Sequence, residues 1–257
     1  MHARQELGRQ GMDSRIRRLK TRDVLREVLL LVVTLGAYFA VRVLVSGAGH
    51  EPLHNSFDLF RFEYFLNLDW EIALQRAVLH NSRFAVHMFN FIYAWGYWLI
   101  LAASFVYLYF RHGDVYRVLR NAILISALVG FFIFATYPVA PPRLAPVGIV
   151  DTAELSGSVL EEVARPSDLA NQNAAMPSFH FGWILLCGIC LSMTLERWTS
   201  KALALTLPAI MAVTIIVTGN HYVIDAIVGG VLCLACLLPW LLRRRHALRA
   251  LQGPQHA

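Results

Sequence analysis

The sequence predicts an all-α fold: a polytopic membrane helical bundle with six transmembrane helices, plus interfacial helices in the 50–83 and 144–176 loops. Three observations predict it. Of 257 residues, 57% are hydrophobic and only 16% are charged, whereas about a quarter of a soluble domain is charged. Mean hydropathy is +0.50. The apolar residues come in runs near the ~20 residues that cross a bilayer as helix. Such runs are too long and continuous for alternating barrel strands, and helices satisfy their own backbone in lipid.

The chain opens with a polar tail, residues 1–23, carrying Arg4, Arg9, Arg15, Arg17, Arg18, Lys20 and Arg22. Its composition reads as disordered, and the long apolar run behind it reads as an uncleaved anchor. Spans are expected at residues 25–46, 84–110, 116–138, 178–195, 202–219 and 221–242, the fifth being the shortest. Residues 24–242 form one six-span domain, and 243–257 a basic C-terminal tail. There is no internal repeat.

Lys and Arg set the orientation. The N-terminal tail, Arg111, Arg117, Arg120, Arg197, Lys201 and the run Arg243, Arg244, Arg245 and Arg249 fall on one side. That side is read as cytoplasmic, with both termini inside, in a multi-pass plasma-membrane protein. The same bias accounts for the net charge of +6, so nucleic acid is not among the expected partners.

Two loops face the other side. Residues 50–83 interleave Phe57, Phe60, Phe62, Tyr64, Phe65, Trp70 and Ile72 with charges, as helices lying in the interface do. They either cap the bundle or form a platform that admits a lipid sideways. In the acidic loop 144–176, Leu155, Val159, Leu160 and Val163 are spaced for a short amphipathic helix. Cys187/Cys190 and Cys233/Cys236 fall mid-span, where a thiol packs as a small apolar group.

Three polar stretches interrupt this pattern at span ends on the outer side. They are Ala-Pro-Pro-Arg-Leu ending in Arg143 and Leu144, Met-Pro-Ser-Phe-His at 176–180, and His-Tyr-Val-Ile-Asp at 221–225. Ionisable groups beside membrane spans are costly and mark function. His221 and Asp225, four apart, share a helical face. A carboxylate on one imidazole nitrogen fixes the tautomer and leaves the other nitrogen to attack. The bland alternative is a polar pair gluing helices together. Pro177 belongs in a first helical turn, so the free amides around Ser178 and Phe179 would bind phosphate, with the Ser178 hydroxyl adding a donor. His180 is placed to act as general acid. Arg143, stiffened by Pro138, Pro141 and Pro142, offers a planar fork for two phosphate oxygens; alone it would read as a snorkelling interfacial residue. Together the residues read as phosphoryl transfer through a phosphohistidine. No metal or other cofactor is expected, since two His and one Asp fall short of the usual zinc set.

The three stretches resemble the blocks of the type 2 phosphatidic acid phosphatase superfamily. Those blocks are Lys, seven residues on, Arg-Pro; then Pro-Ser-Gly-His; then Ser-Arg, five residues, His, three residues, Asp. The match runs from about Tyr137 to Gly230. The resemblance implies His221 as nucleophile, His180 as acid, Asp225 as orienter, and Arg143 and Ser178 as phosphate ligands. The departures are specific. Thr136 stands at the family's Lys, Ile215 at its second Arg, Thr214 at its Ser, Phe179 at its Gly and Leu144 at its Pro. This reduced pattern resembles the inositol phosphorylceramide synthase-like branch. A phosphomonoester carries about −1.5 to −2, a phosphodiester one charge. A pocket with one Arg and no Lys suits the diester. The expected partner is a phospholipid or other lipid phosphate in the bilayer, and the expected reaction moves a phospho-head-group to an alcohol. The alternatives are hydrolysis of a lipid phosphate or polyprenyl diphosphate and, from other classes, a membrane transporter, an intramembrane serine protease built on Ser178, or a structural protein. A transporter would need polar groups through the depth of the bundle, which the sequence lacks.

Overall fold

The structure, a computed structural model, describes residues 25–27, 29–30, 32–34, 36–37, 39–40, 51–157 and 173–251. The tail 1–23, much of the first expected span, and Val159, Leu160 and Val163 of the expected acidic-loop helix lie outside the described residues. The chain divides into two units, Met1–Val43 and Leu44–Ala257. In the first, every described residue is helical.

The second unit is built from helices. The 50–83 segment forms α1 (Glu51–Phe65) and α2 (Glu71–Asn81). Ser82 ends α2 and caps the next helix, its hydroxyl accepting the Ala85 amide at 3.1 Å. That helix, α3, runs Arg83–Arg111 and widens to a π-helix at Ile92–Gly96. α4 is Gly113–Thr136. Pro142–Leu144 make a 3₁₀ turn, and α5 is the short Thr152–Ser156. α6 (Phe179–Ser192), α7 (Trp198–Val217) and α8 (Val223–Leu251) complete the unit.

Among the described residues, four helices are long and apolar enough to cross a membrane: Arg83–Arg111, Gly113–Thr136, Trp198–Val217 and Val223–Arg243. They match four of the expected spans within a few residues. Large apolar side chains such as Trp98, Val106, Phe110, Leu128, Phe132, Leu203 and Val231 are exposed on them. An exposed apolar surface of this extent fits lipid contact. The expected span 178–195 is shorter than read. α6 has 14 residues, about 21 Å at 1.5 Å per residue, against a hydrocarbon core of about 30 Å. Residues 193–195 turn away because the helix ends at Met193.

α6 packs against α7, α8, α3 and α4. Lipid is as apolar as a side chain, so close backbone approach at small residues drives helix association in membranes. Gly182 shows it: a Cβ there would lie 2.8 Å from the Gly229 carbonyl oxygen and 2.6 Å from Cys233 Sγ. Gly188 shows it on the opposite neighbour, 2.7 Å from the Ala204 carbonyl oxygen. The Cys187, Cys190 and Cys233 thiols are buried with Leu119, Leu186 and Leu237 in one apolar cluster. A second cluster, Tyr97, Ile184, Met211, Ile215, Ile216, Val223 and Ala226, underlies the polar stretches.

Candidate functional site

The segment that presents His221 is fixed by how α7 ends. Gly219 takes φ +69°, a conformation that suits glycine. Its amide bonds the Ile216 carbonyl at 2.9 Å, and the Asn220 amide reaches the Ile215 carbonyl at 3.1 Å. This pairing is the Schellman termination. The Gly219 carbonyl then accepts the Arg143 amide at 3.0 Å, which brings the first polar stretch to the third.

The second stretch joins them at α8. Ser178 is fully buried, and its amide donates to the Asp225 carbonyl at 2.9 Å. The approach is so close that a Cβ on Gly229 would overlap the Ser178 backbone. Ser178 caps α6, its Oγ accepting the Phe181 amide at 3.4 Å. Two details differ from expectation. Pro177 precedes the cap instead of opening the helix, and the Ser178 amide is committed to α8. By helix geometry the Phe179 amide lacks an acceptor one turn back. The Phe179 side chain faces another way: a Cβ on Gly130 of α4 would overlap its ring, which stacks on Trp183 at 4.7 Å.

The two imidazoles come together, with ring centroids of His180 and His221 5.8 Å apart. His221 is buried, and its Nδ1 lies 2.8 Å from the Ala175 carbonyl oxygen and 3.3 Å from Asp225 Oδ2. Both are acceptors, so Nδ1 carries the proton and the lone pair is on Nε2. The helical reading of this pair needs correction, because α8 begins at Val223. Asp225 meets His221 by reaching back across the helix start, where the same Oδ2 also accepts the Tyr222 amide at 2.9 Å. That return bond is the carboxylate half of a capping box. Asp225 is fully buried, and its Oδ1 has no hydrogen-bond partner.

His180 lies between two tyrosines. Tyr93 stacks on it at 4.2 Å and Tyr97 tilts against it at 4.3 Å. The π-helix of α3 sets both rings, and such insertions often occur at functional sites. Nothing in the periodicity of 84–110 signals this.

Arg143 is mostly buried, and its Nε serves Asn220 Oδ1 at 3.0 Å and Asp151 Oδ2 at 3.4 Å. Asp151 also caps α5 through the Ala153 amide at 2.9 Å. The segment is strapped down by Gln75 of α2. Its amide group donates to the Val150 and Val217 carbonyls at 2.9 and 3.0 Å and accepts the Val150 amide at 3.0 Å. The two further cation positions that the resemblance implies hold no charge here. Thr136 bonds its own helix at Phe132, and Ile215 is buried in the apolar cluster.

The first amides of α8 end on two glutamates that the sequence reading passed over. Val223 donates to Glu71 Oε1 at 3.1 Å and Ile224 to Glu63 Oε1 at 2.7 Å. Both side chains are fully buried. Burial first, then a hydrogen bond to Glu71 and the charges of Glu71 and Asp225, push the Glu63 carboxyl up to about 9. Among the described residues, the buried carboxyl and imidazole side chains Glu63, Glu71, His221 and Asp225 gather around the start of α8.

A family model described as the PAP2 superfamily matches residues 57–238. No curated protein and no solved structure matches the chain.

Proposed function

The chain belongs to the PAP2 superfamily, a family of phosphatases and phosphotransferases, and from that premise we propose a metal-independent lipid phosphotransferase working through a phosphohistidine. The carrying observation is the pair of imidazoles 5.8 Å apart, one of them held with its proton on Nδ1 by Ala175 and Asp225. His221 Nε2 attacks phosphorus, and the bond from phosphorus to the leaving oxygen breaks as His180 protonates that oxygen. An acceptor hydroxyl then attacks the phosphohistidine, its proton passing to His180 as the nitrogen–phosphorus bond breaks. Arg143, the Ser178 hydroxyl and the Phe179 amide hold the phosphate oxygens. The site faces away from the cytosol, as the Lys and Arg distribution indicates.

The preferred donor is a phosphodiester, as in the inositol phosphorylceramide synthase-like branch, and the acceptor is an alcohol. Asp151 supports this: the arginine of the pocket is already partnered by a carboxylate, so the pocket offers little net positive charge. A dianion would be under-neutralised there, and unpaired charge is costly to enclose. The gathering of buried carboxyl and imidazole groups around the start of α8 also favours an enzyme over a transporter, which needs charged groups along its path.

The test uses purified protein in nanodiscs. The donors are phosphatidylinositol, phosphatidylglycerol and phosphatidylcholine on one side, and phosphatidate and a polyprenyl diphosphate on the other. Turnover of a diester with transfer to a lipid alcohol is expected; phosphate release from the monoesters alone would overturn the transferase reading. Asp151→Asn is expected to raise kcat/KM for phosphatidate relative to the best diester about tenfold, one charge-assisted contact being worth roughly 1.4 kcal/mol or more. An unchanged ratio would remove Asp151 from the selectivity argument.

A further inference from the structure

Glu63 and Glu71 do something more specific than fill space. They come from two helices that precede the polar stretches by far in sequence, yet each spends one oxygen on a consecutive amide of α8, Ile224 and Val223. With Asp225 on the Tyr222 amide, three carboxyl groups hold three successive amides directly after His221. Those amides are orphans of the helix start, and negative groups are favoured there. The second oxygens, Glu63 Oε2 and Glu71 Oε2, are buried and meet no N–H or hydroxyl. Because they cap consecutive amides, the two carboxyls are neighbours, and Glu71 is among the causes that raise Glu63. Two carboxylates cannot bond one another, whereas a carboxylic acid and a carboxylate can. One proton between them satisfies both orphan oxygens and removes one of two adjacent buried charges.

We propose that Glu63 and Glu71 are positioning residues for His221: bridged by one proton, they clamp the start of α8 and so hold the turn that carries His221 and Asp225. This rests on His221 being the nucleophile. The groups that face the pair are Asp225 and Tyr222, whose hydroxyl bonds Ser56 Oγ at 2.8 Å. Beyond Asp225 stands His221. The charges acting on Glu63 are acidic, those of Glu71 and Asp225. Loss of the shared proton at alkaline pH would therefore put two like charges in contact and loosen the clamp.

The protein is tested in nanodiscs with whichever donor of the panel above turns over fastest. Glu63→Ala is expected to lower kcat about 100-fold with KM changed little, the scale of a displacement near 1 Å at the chemistry. Glu63→Gln, a neutral group that accepts from Ile224 and donates to Glu71, is expected to recover kcat to within a few-fold of wild type. It should also flatten a wild-type decline in kcat near pH 9. Wild-type kcat in Glu63→Ala, or Glu63→Gln as impaired as Glu63→Ala, would overturn the proposal.

Thermal unfolding without substrate reads the proton alone. Glu63 stays protonated in the folded protein up to about pH 9 but ionises near 4.5 when unfolded. The unfolded state then holds fewer protons across that window, so wild-type stability falls as pH rises from about 4.5 to about 9. Glu63→Gln lacks that slope. A parallel pH dependence in the two proteins would also overturn the proposal. If wild type shows the slope but no donor turns over, the reading of His221 fails and the shared proton stands.

Discussion

His221→Ala is expected to abolish turnover, with kcat falling on the order of 10⁶-fold, as when an activated nucleophile is removed elsewhere. That corresponds to about 8 kcal/mol of transition-state stabilisation. Wild type quenched during turnover of a labelled phospholipid should carry label on His221 that is stable to alkali and lost in acid. His221→Ala should carry none. The same variant removes the bond from Nδ1 to the Ala175 carbonyl and leaves Asp225 Oδ2 with the Tyr222 amide alone, so its melting temperature must be measured beside activity. His180 separates by its leaving-group dependence. His180→Ala should slow a poorly leaving alkoxide by about 10² to 10⁴-fold, the range for a general acid. It should barely affect an activated aryl phosphate ester, which needs no proton to leave. If His221→Ala kept turnover, or if the trapped label stayed on the protein without His221, phosphoryl transfer through this imidazole would be excluded.

Four of the six expected spans were legible, as were the three polar stretches at helix ends, because each is a local signal. A run of apolar residues, or a Pro-Ser pair ahead of one, reads within a 20-residue window. What was not legible is long-range. Glu63 and Glu71 sit among aromatic and charged neighbours in a segment that resembles an interfacial helix, so neither stands out. Only the pairing with Ile224 and Val223, 161 and 152 residues away, reveals them as caps. Gln75 was missed for the same reason, since its partners Val150 and Val217 lie more than 70 residues off in sequence; Asp151 meets Arg143 only because the chain turns between them. Tyr93 and Tyr97 were hidden by regularity, because hydrophobic period does not show where a helix will widen to a π-turn. The departure at Phe179, a bulky residue where the family has glycine, finds its physical reason in Gly130, which makes the space for its ring.

Arg143→Ala is expected to lower kcat by about 10² to 10³-fold, the loss seen when one preorganised donor to a developing charge is removed, or roughly 2.7–4 kcal/mol. The effect should be at the top of that range because the family's other cation positions are taken by Thr136 and by Ile215, the latter in the apolar packing, so no second cation from those positions compensates. The side chain has a second duty, since its Nε holds both Asn220, next to His221, and Asp151. Removing it takes the guanidinium away from the Asp151 carboxylate, so under the proposed function repulsion of the phosphate adds to the lost attraction. The double variant Arg143→Ala with Asp151→Asn therefore should recover part of the loss. Recovery of about tenfold would match one charge-assisted contact. Arg143→Lys should restore charge but not the planar fork that serves two acceptors at once, and so fall between wild type and Arg143→Ala. If Arg143→Lys matched wild type, the residue would be acting as a point charge, and the geometric argument for a forked phosphate ligand would fail. If Arg143→Ala kept kcat and raised only KM, the arginine would bind ground state and transition state alike, and its place would be in donor capture instead of the chemical step.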